Sequence, residues 1–206
     1  DDLLKAAAAL TKGGRYGIAL PTSKTMWADQ VVWDFMVTNR AYIFNEKGDI
    51  VFDSKESVET FEFLKKLAKF TPPDATGWSW GDGHLAFVGS KVAMLPIFGG
   101  IRNWEQNAPE VAKNVKSTYI PIPQGGERGS ISYPNGLMVI TKDKAKREAI
   151  RKFLLFLMEP ERNGWWLANM EPGTYVPVTL AGMKAKSFWE HPIIARHKQL
   201  LDMHLE

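Results

Sequence analysis

The order of patterns along the chain predicts an α/β fold, a mixed sheet flanked by helices. Three observations carry it. Apolar residues recur at helical spacing in several long stretches, short runs rich in Val, Ile, Tyr and Phe stand between them, and Gly or Pro closes most stretches.

Residues 1–11 read as a helix, with Asp1 or Asp2 near its N-terminus and Leu3, Leu4, Ala7 and Ala8 on one face. "KGG" (12–14) stops it, since glycine takes the left-handed C-cap conformation without a Cβ clash. "YGIALP" (16–21) is a short buried strand that ends at Pro21. Over 23–39, Trp27, Val31, Asp34 or Phe35, and Thr38 repeat at the helical period. "YIF" and "IVF" flank the turn "NEKGD" as a hairpin-like pair over 41–54. The next helix, 53–70, takes Asp53 or Ser54 as its cap, Glu56 in its first turn, and Val58, Phe61, Leu64 and Ala68 as its apolar stripe. "TPPD" (71–74) ends it.

Asp82 can cap a short helix at 83–88, "KVAMLPIF" (91–98) reads as a buried strand, and "GGIRNWEQ" (99–106) turns into another helix. "STYIPIPQGGERG" (117–129) is a strand that leaves into a Pro/Gly-rich crossover. "SYPNGLMVITKD" (132–143) is a turn followed by a buried strand. The helix over 143–158 is expected to turn Ala149, Ile150, Phe153, Leu154 and Leu157 inward. Pro160 suits the first position of the helix that follows, 161–169. An extended loop at 171–179 leads to 187–205, helical on both sides of Pro192.

With 206 residues, 45% hydrophobic and 24% charged, the chain has a globular composition and length enough to bury a core without disulfides or metals. Net charge is +3, and Lys and Arg alternate with acids, as in "KDKAKREAIRK" (142–152), so no nucleic-acid partner is expected. The absence of cysteine excludes thiol catalysis, disulfides and Cys–zinc sites. No apolar run reaches the roughly 18–20 residues of a membrane span. "DDLLKAAAAL" at the start has no basic leader region, and the abrupt ends are those expected of a fragment.

Catalytic patterns are missing. There is no G-x-S-x-G elbow and no H-E-x-x-H, and His84, His191, His197 and His204 read as solvated helix positions, so neither metal nor cofactor is expected. "GDGHLAFVG" precedes a strand, whereas a phosphate loop links a strand to a helix. Asp29, Asp34 and Asp82 lie near tryptophans, but glycoside cleavage needs two carboxylates facing one bond.

Binding chemistry is better represented. Residues 77–104 hold three of the eight tryptophans. Sugars offer apolar C–H faces ringed by hydroxyls, which flat aromatic rings and nearby polar groups match. Trp27, Trp80 and Trp104, with Asp82, Arg102 and Asn103, supply those types at strand ends and helix starts, where α/β folds form their crevices.

The motif order resembles one family. "AFVGSKVAM" (86–94) looks like the A-F-x-x-G-K-x-A-M signature of bacterial extracellular solute-binding proteins, the maltose-binding-protein-like sugar receptors. "DDLLKAAAALTK" resembles the family's helix before its first hinge crossing, and "GDIVFDSKESVETFEFLKKLAK" its turn and long helix. The stretch from "YIPIPQG" to "TYVPV" resembles its return strand, helix pair and G-x-x-P loop. The resemblance implies two lobes of the type II periplasmic-binding-protein kind, joined by a hinge, and about twice this length. It places 1–125 mainly in the C-terminal-type lobe, and 130–206 in the return strand and helices that belong or lead to the other. It further implies a monomer in the periplasm or outside the cell, any lipid anchor lying outside this stretch. Such a protein holds a carbohydrate between its lobes, without catalysis, for a membrane ABC permease.

Carried over residue by residue, Trp80 falls where the family places an aromatic contact, and 99–104 where it places a stacking Trp. There the direct equivalent is Ile101 or Arg102, with Trp104 slightly later. Trp27 falls near a sugar-contacting loop, and Tyr133 and Asn135 at a turn that lines the cleft. Structural roles compete. Trp33, Trp165 and Trp166 read as core, Trp27 and Trp80 suit either role, Arg102 suits a helix surface, and Asn135 before Gly136 is a turn dipeptide. A carbohydrate-active enzyme with a Trp-lined cleft, or a receptor for a polyol or glycerophosphodiester that Arg102 would favour, are the alternatives.

Overall fold

The computed structural model describes residues 1–97 and 99–202. His204 and the end of the last expected helix lie outside the described residues. Helix α1 (Asp2–Leu10) leads into strand β1 (Tyr16–Ile18), and the Thr11 hydroxyl joins them, donating to the Ala7 carbonyl (2.7 Å) and accepting from the Gly17 N–H (2.9 Å). β1 pairs in parallel with β2 (Val92–Met94), Tyr16 opposite Val92 and Ile18 opposite Met94. The expected mixed sheet is therefore small, two parallel strands among the described residues. A parallel pair needs a long crossover. Helices α2 (Met26–Thr38), α3 (Lys55–Leu67) and α4 (Trp80–Val88) supply it.

Thr25 caps α2, accepting from the Ala28 N–H, and the expected period holds: Trp27, Val31, Phe35 and Thr38 are buried. Ile18, Leu20, Leu67, Trp78, Ala86 and Val92 join them in one core. Ser54 caps α3 as expected, but only half of its expected apolar stripe meets the core: Leu64 and Ala68 pack against it. Val58 and Phe61 are exposed while Ser57 and Thr60 are buried. The cause is polar docking: the Asn39 amide donates to the Glu56 carbonyl (2.9 Å) and to the Thr60 hydroxyl (3.2 Å). The hairpin expected at 41–54 is a single bridge, Phe44 with Ile50. Asn45 makes the turn itself, its side-chain oxygen accepting from the Lys47 and Asp49 N–H groups.

Residues 118–132 form no strand but run beside α2. The Glu127 N–H donates to the Thr38 carbonyl (3.0 Å), Arg40 and Tyr42 hold the Glu127 carboxylate, and Asp34 accepts from the Ile131 N–H (3.2 Å) and the Ser130 hydroxyl (3.3 Å). Burial raises the Asp34 carboxyl above the usual carboxylate range, against the lowering effect of those two donors. An acid whose native pKa is raised stabilises the fold below its unfolded value, near 3.9, and loses that contribution as pH climbs through the native one. Asp34→Asn keeps an acceptor and removes the charge. Its stability relative to the parent is expected to rise from pH 3.5 to 7 in urea titrations, and an unchanged difference counts against this account.

These segments make up the first compact unit, 1–97 with 118–132; the second is 98–117 with 133–206. In the second, α5 (Ile101–Asn107) and α6 (Pro109–Ala112) precede α7 (Lys144–Leu157) and α8 (Pro160–Met170). Three short helices follow, α9 (Lys186–Trp189), α10 (Pro192–Arg196) and α11 (Lys198–Asp202). Glu161 joins α8 to α9, its carboxylate accepting from the first N–H groups of α9, Lys186 (3.1 Å) and Ser187 (2.9 Å). Ile101, Trp104, Ala168, Phe188, Ile194 and Leu201 are buried.

Two expectations are corrected in this unit. The buried strand read at 132–143 is an exposed segment with no strand partner among the described residues. Helix α7 forms, capped by Asp143, but buries none of its residues; Phe153 is exposed, and Ile150, Leu154 and Leu157 are half-buried. Periodicity shaped the helix, and its stripe is only partly covered, Ala149 staying exposed like Phe153.

Candidate functional site

In the first unit, a concavity of about 520 Å³ opens beside the first turns of α2. Trp33, Phe52 and Phe61 supply its aromatic surface, with centroids 6.5 Å apart for Trp33–Phe52 and 6.3 Å for Phe52–Phe61. Ser23, Lys24, Thr25 and Asp29 add hydroxyls and both signs of charge. Trp33 is half-buried here, which corrects its reading as core. Helical geometry explains the placement. Met26, Asp29 and Trp33 share one face of α2 at three- and four-residue steps, roughly opposite the Trp27, Val31 and Phe35 face.

Helix α4 begins at Trp80, three residues earlier than read from the sequence. Its N-cap is Ser79, not Asp82; Asp82 lies inside the first turn and closes a capping box, one carboxylate oxygen accepting from both the N–H and the hydroxyl of Ser79, at 2.7 Å each. Those bonds hold the Asp82 carboxyl below the usual range. The half-buried Trp80 ring meets the His84 ring edge-on, centroids 4.1 Å apart. His84 is buried, not solvated, and burial pushes its imidazole down to about 4, so it is neutral at pH 7. Trp27 is 1% exposed, and its indole N–H donates to the Pro96 carbonyl (3.1 Å). Gly83 lies against it; a Cβ there would sit 2.5 Å from Trp27 Cη2. Trp27 is thus the floor beneath α4 and offers no ring face to solvent.

In the second unit, Gly100 in the left-handed conformation precedes α5, which exposes Arg102 and Asn103 and buries Trp104. Arg102 donates to the Met170 carbonyl (3.2 Å), and Asn103 accepts from the Asn107 amide (3.0 Å). The next residue, Glu105, accepts two bonds from Arg196 (3.0 and 2.8 Å), and its other contact is His197 Nε2 at 2.8 Å. Chiefly Arg196 keeps the Glu105 carboxyl below the usual range. His197 is buried in this cluster, again not solvated. Tyr133 and Asn135 lie in the exposed strand-free segment, and Trp165, read as core, is 59% exposed. The structure joins Trp27 with the α4 of Trp80 and Asp82, and sets Arg102, Asn103 and Trp104 on one short helix. Sequence reading missed Phe52 and Phe61; their only signal was placement in a hairpin and a helix stripe that tertiary packing left open.

Among the described residues, no three His, Cys, Asp or Glu side chains are grouped to hold a metal ion, and no helix is long and apolar enough to cross a membrane. A family model described as bacterial extracellular solute-binding protein matches residues 1–163. The chain belongs to that family. This solute-binding protein is therefore a member of a binding family, not of an enzyme family. It is 25% identical over 183 residues to YcjN of Escherichia coli K12, provisionally named an ABC transporter periplasmic-binding protein, covering 87% of this chain and 40% of that one. Its fold matches maltose-bound MalE3 of T. maritima with a TM-score of 0.72 at 17% identity, over 100% of this chain and 53% of MalE3. A protein of Synechococcus sp. MITs9220, provisionally named an oligosaccharide periplasmic-binding protein, matches with a TM-score of 0.60 at 15% identity, over 88% and 49%. The chain thus spans about half the length of these relatives.

Proposed function

We propose that this solute-binding protein takes part in carbohydrate capture outside the cytoplasmic membrane, for delivery to an ABC permease. The observation that carries the proposal is the aromatic concavity of Trp33, Phe52 and Phe61 rimmed by Ser23, Thr25, Lys24 and Asp29. Flat rings beside hydroxyls and charges match a sugar, which is apolar on its faces and hydrogen-bonding at its edge. Maltose in MalE3 and the oligosaccharide in the name of the Synechococcus protein agree with that solute class. The half-buried Trp80 ring of the first unit, and separately the exposed Arg102, Asn103, Tyr133 and Asn135 of the second, are side chains of types that suit sugar contacts. Trp27, Trp104 and Asp82 hold those contacts in place. In this reading 1–125 belongs mainly to the C-terminal-type lobe, and the receptor acts as a monomer.

Tryptophan-fluorescence and calorimetric titration with maltose, longer maltooligosaccharides and xylooligosaccharides tests the reading, using the whole polypeptide encoded by the reading frame. Saturable binding is expected, weakened about tenfold or more, some 1.4 kcal/mol, by Trp33→Ala in a variant that circular dichroism shows to be folded. A polyol or glycerophosphodiester that binds where every sugar fails would move the receptor to a different solute class.

A further inference from the structure

The dipeptide Asn-Gly occurs twice in the chain, at 135–136 and at 163–164, and the fold treats the two copies differently. Asn135 and Gly136 are exposed and lie outside helix and strand. Neither has a hydrogen bond or ion pair among the described residues, and nothing stands within 4 Å of a Cβ built on Gly136. Asn163 and Gly164 lie inside α8. Asn163 is 4% exposed, its backbone N–H donates to the Glu159 carbonyl (2.8 Å), and its amide reaches Met158 Sδ at 3.7 Å. Gly164 is the fifth residue of that helix, so its N–H is committed to the helical ladder. A Cβ on it would stand 2.8 Å from Ala185 Cβ and 2.9 Å from the Ser187 hydroxyl oxygen, so the chain leading into α9 presses directly on it.

We propose that Asn135–Gly136 is a site of spontaneous deamidation, and that α8 protects the same dipeptide at 163–164. An asparagine side chain and the next backbone nitrogen close a ring where the following residue has no Cβ to obstruct the approach and the backbone is free to turn. The Gly136 nitrogen bonds to Asn135 Cγ, the Cγ–Nδ2 bond breaks, and the Gly136 amide hydrogen leaves with Nδ2 as ammonia. Water then opens the succinimide at either carbonyl. One opening gives aspartate; the other routes the main chain through the side chain and gives isoaspartate. Both products carry a new negative charge. In α8 the helical dihedrals are fixed and the glycine N–H is occupied, so the same atoms cannot meet. This rests on backbone conformation and not on the sugar reading, so either can fail alone.

Incubation of the folded protein in mildly alkaline buffer, followed by peptide mass mapping and isoaspartate-specific methylation, tests it. The Asn135 peptide is expected to gain the mass of an amide-to-acid conversion about tenfold or more faster than the Asn163 peptide, because reaction at 163 waits on local opening of α8. In urea, where neither dipeptide is held, most of that difference is expected to disappear. Gly136→Ala is expected to slow conversion at 135 about tenfold, through the Cβ it sets beside the attacking nitrogen, with the circular dichroism spectrum unchanged. An Asn135 that stays intact in the folded protein, or converts no faster than Asn163, overturns the proposal, as does conversion that Gly136→Ala leaves unslowed. A difference that persists undiminished in urea overturns it too, since flanking residues and not the fold would then set the rates.

Discussion

Trp27→Ala is expected to cost the first unit about 3–5 kcal/mol, the range for emptying a large aromatic from a packed interior. The indole is fully buried, its N–H bond to the Pro96 carbonyl is lost, and that acceptor is left without its donor. Gly83 cannot fill the gap, because it has no side chain and sits on the ring. Urea unfolding of the variant should show a lower midpoint with an unchanged slope. Trp27→Phe keeps most of the apolar surface and should cost clearly less. If both variants unfold at the parent midpoint, the indole is not what supports α4. The comparison matters for function, since a ligand-contacting Trp would change binding with little loss of stability.

Gly173→Ala is expected to destabilise the second unit by about 2–5 kcal/mol, from two sources. Gly173 has φ of +81°, where an L side chain costs about 1–2 kcal/mol. Its new Cβ would also stand 2.5 Å from Cδ1 and 2.8 Å from Cβ of the buried Ile101, and overpacking of that kind costs about 1–3 kcal/mol. Gly125 separates the two, since it has the same φ of +81° with nothing within 4 Å of the built Cβ. Gly125→Ala should show the backbone part alone, measured in the same unfolding assay. Equal losses at the two sites would mean that the loop at 173 yields and Ile101 is not pressed.

What was legible from the sequence was local. The 3.6-residue repeat of Trp27, Val31, Phe35 and Thr38, and the cap at Ser54, are decided within a few residues of chain, and each appears in the fold. Burial depends on neighbours distant in sequence, and there the reading failed. Phe61 and Phe153 stand on helical stripes that other parts of these units leave open. His84 and His197 carry polar rings that suggest water, yet the Trp80 ring encloses one and Glu105 engages the other. Trp33 was misplaced because α2 has aromatic residues on both faces, and composition alone could not tell floor from wall. In the candidate site, residue types were readable as sugar-like chemistry; which tryptophan shows a face was not.

The stitching of residues 118–132 along α2, by Asp34, Thr38, Arg40 and Tyr42, also has a topological result. Because this segment belongs to the first unit while its flanks belong to the second, the backbone changes unit after residues 97, 117 and 132. No single cut releases either unit as one continuous polypeptide. During synthesis the first unit stays incomplete until residue 132 has left the ribosome, with residues 98–117 of the second already waiting outside.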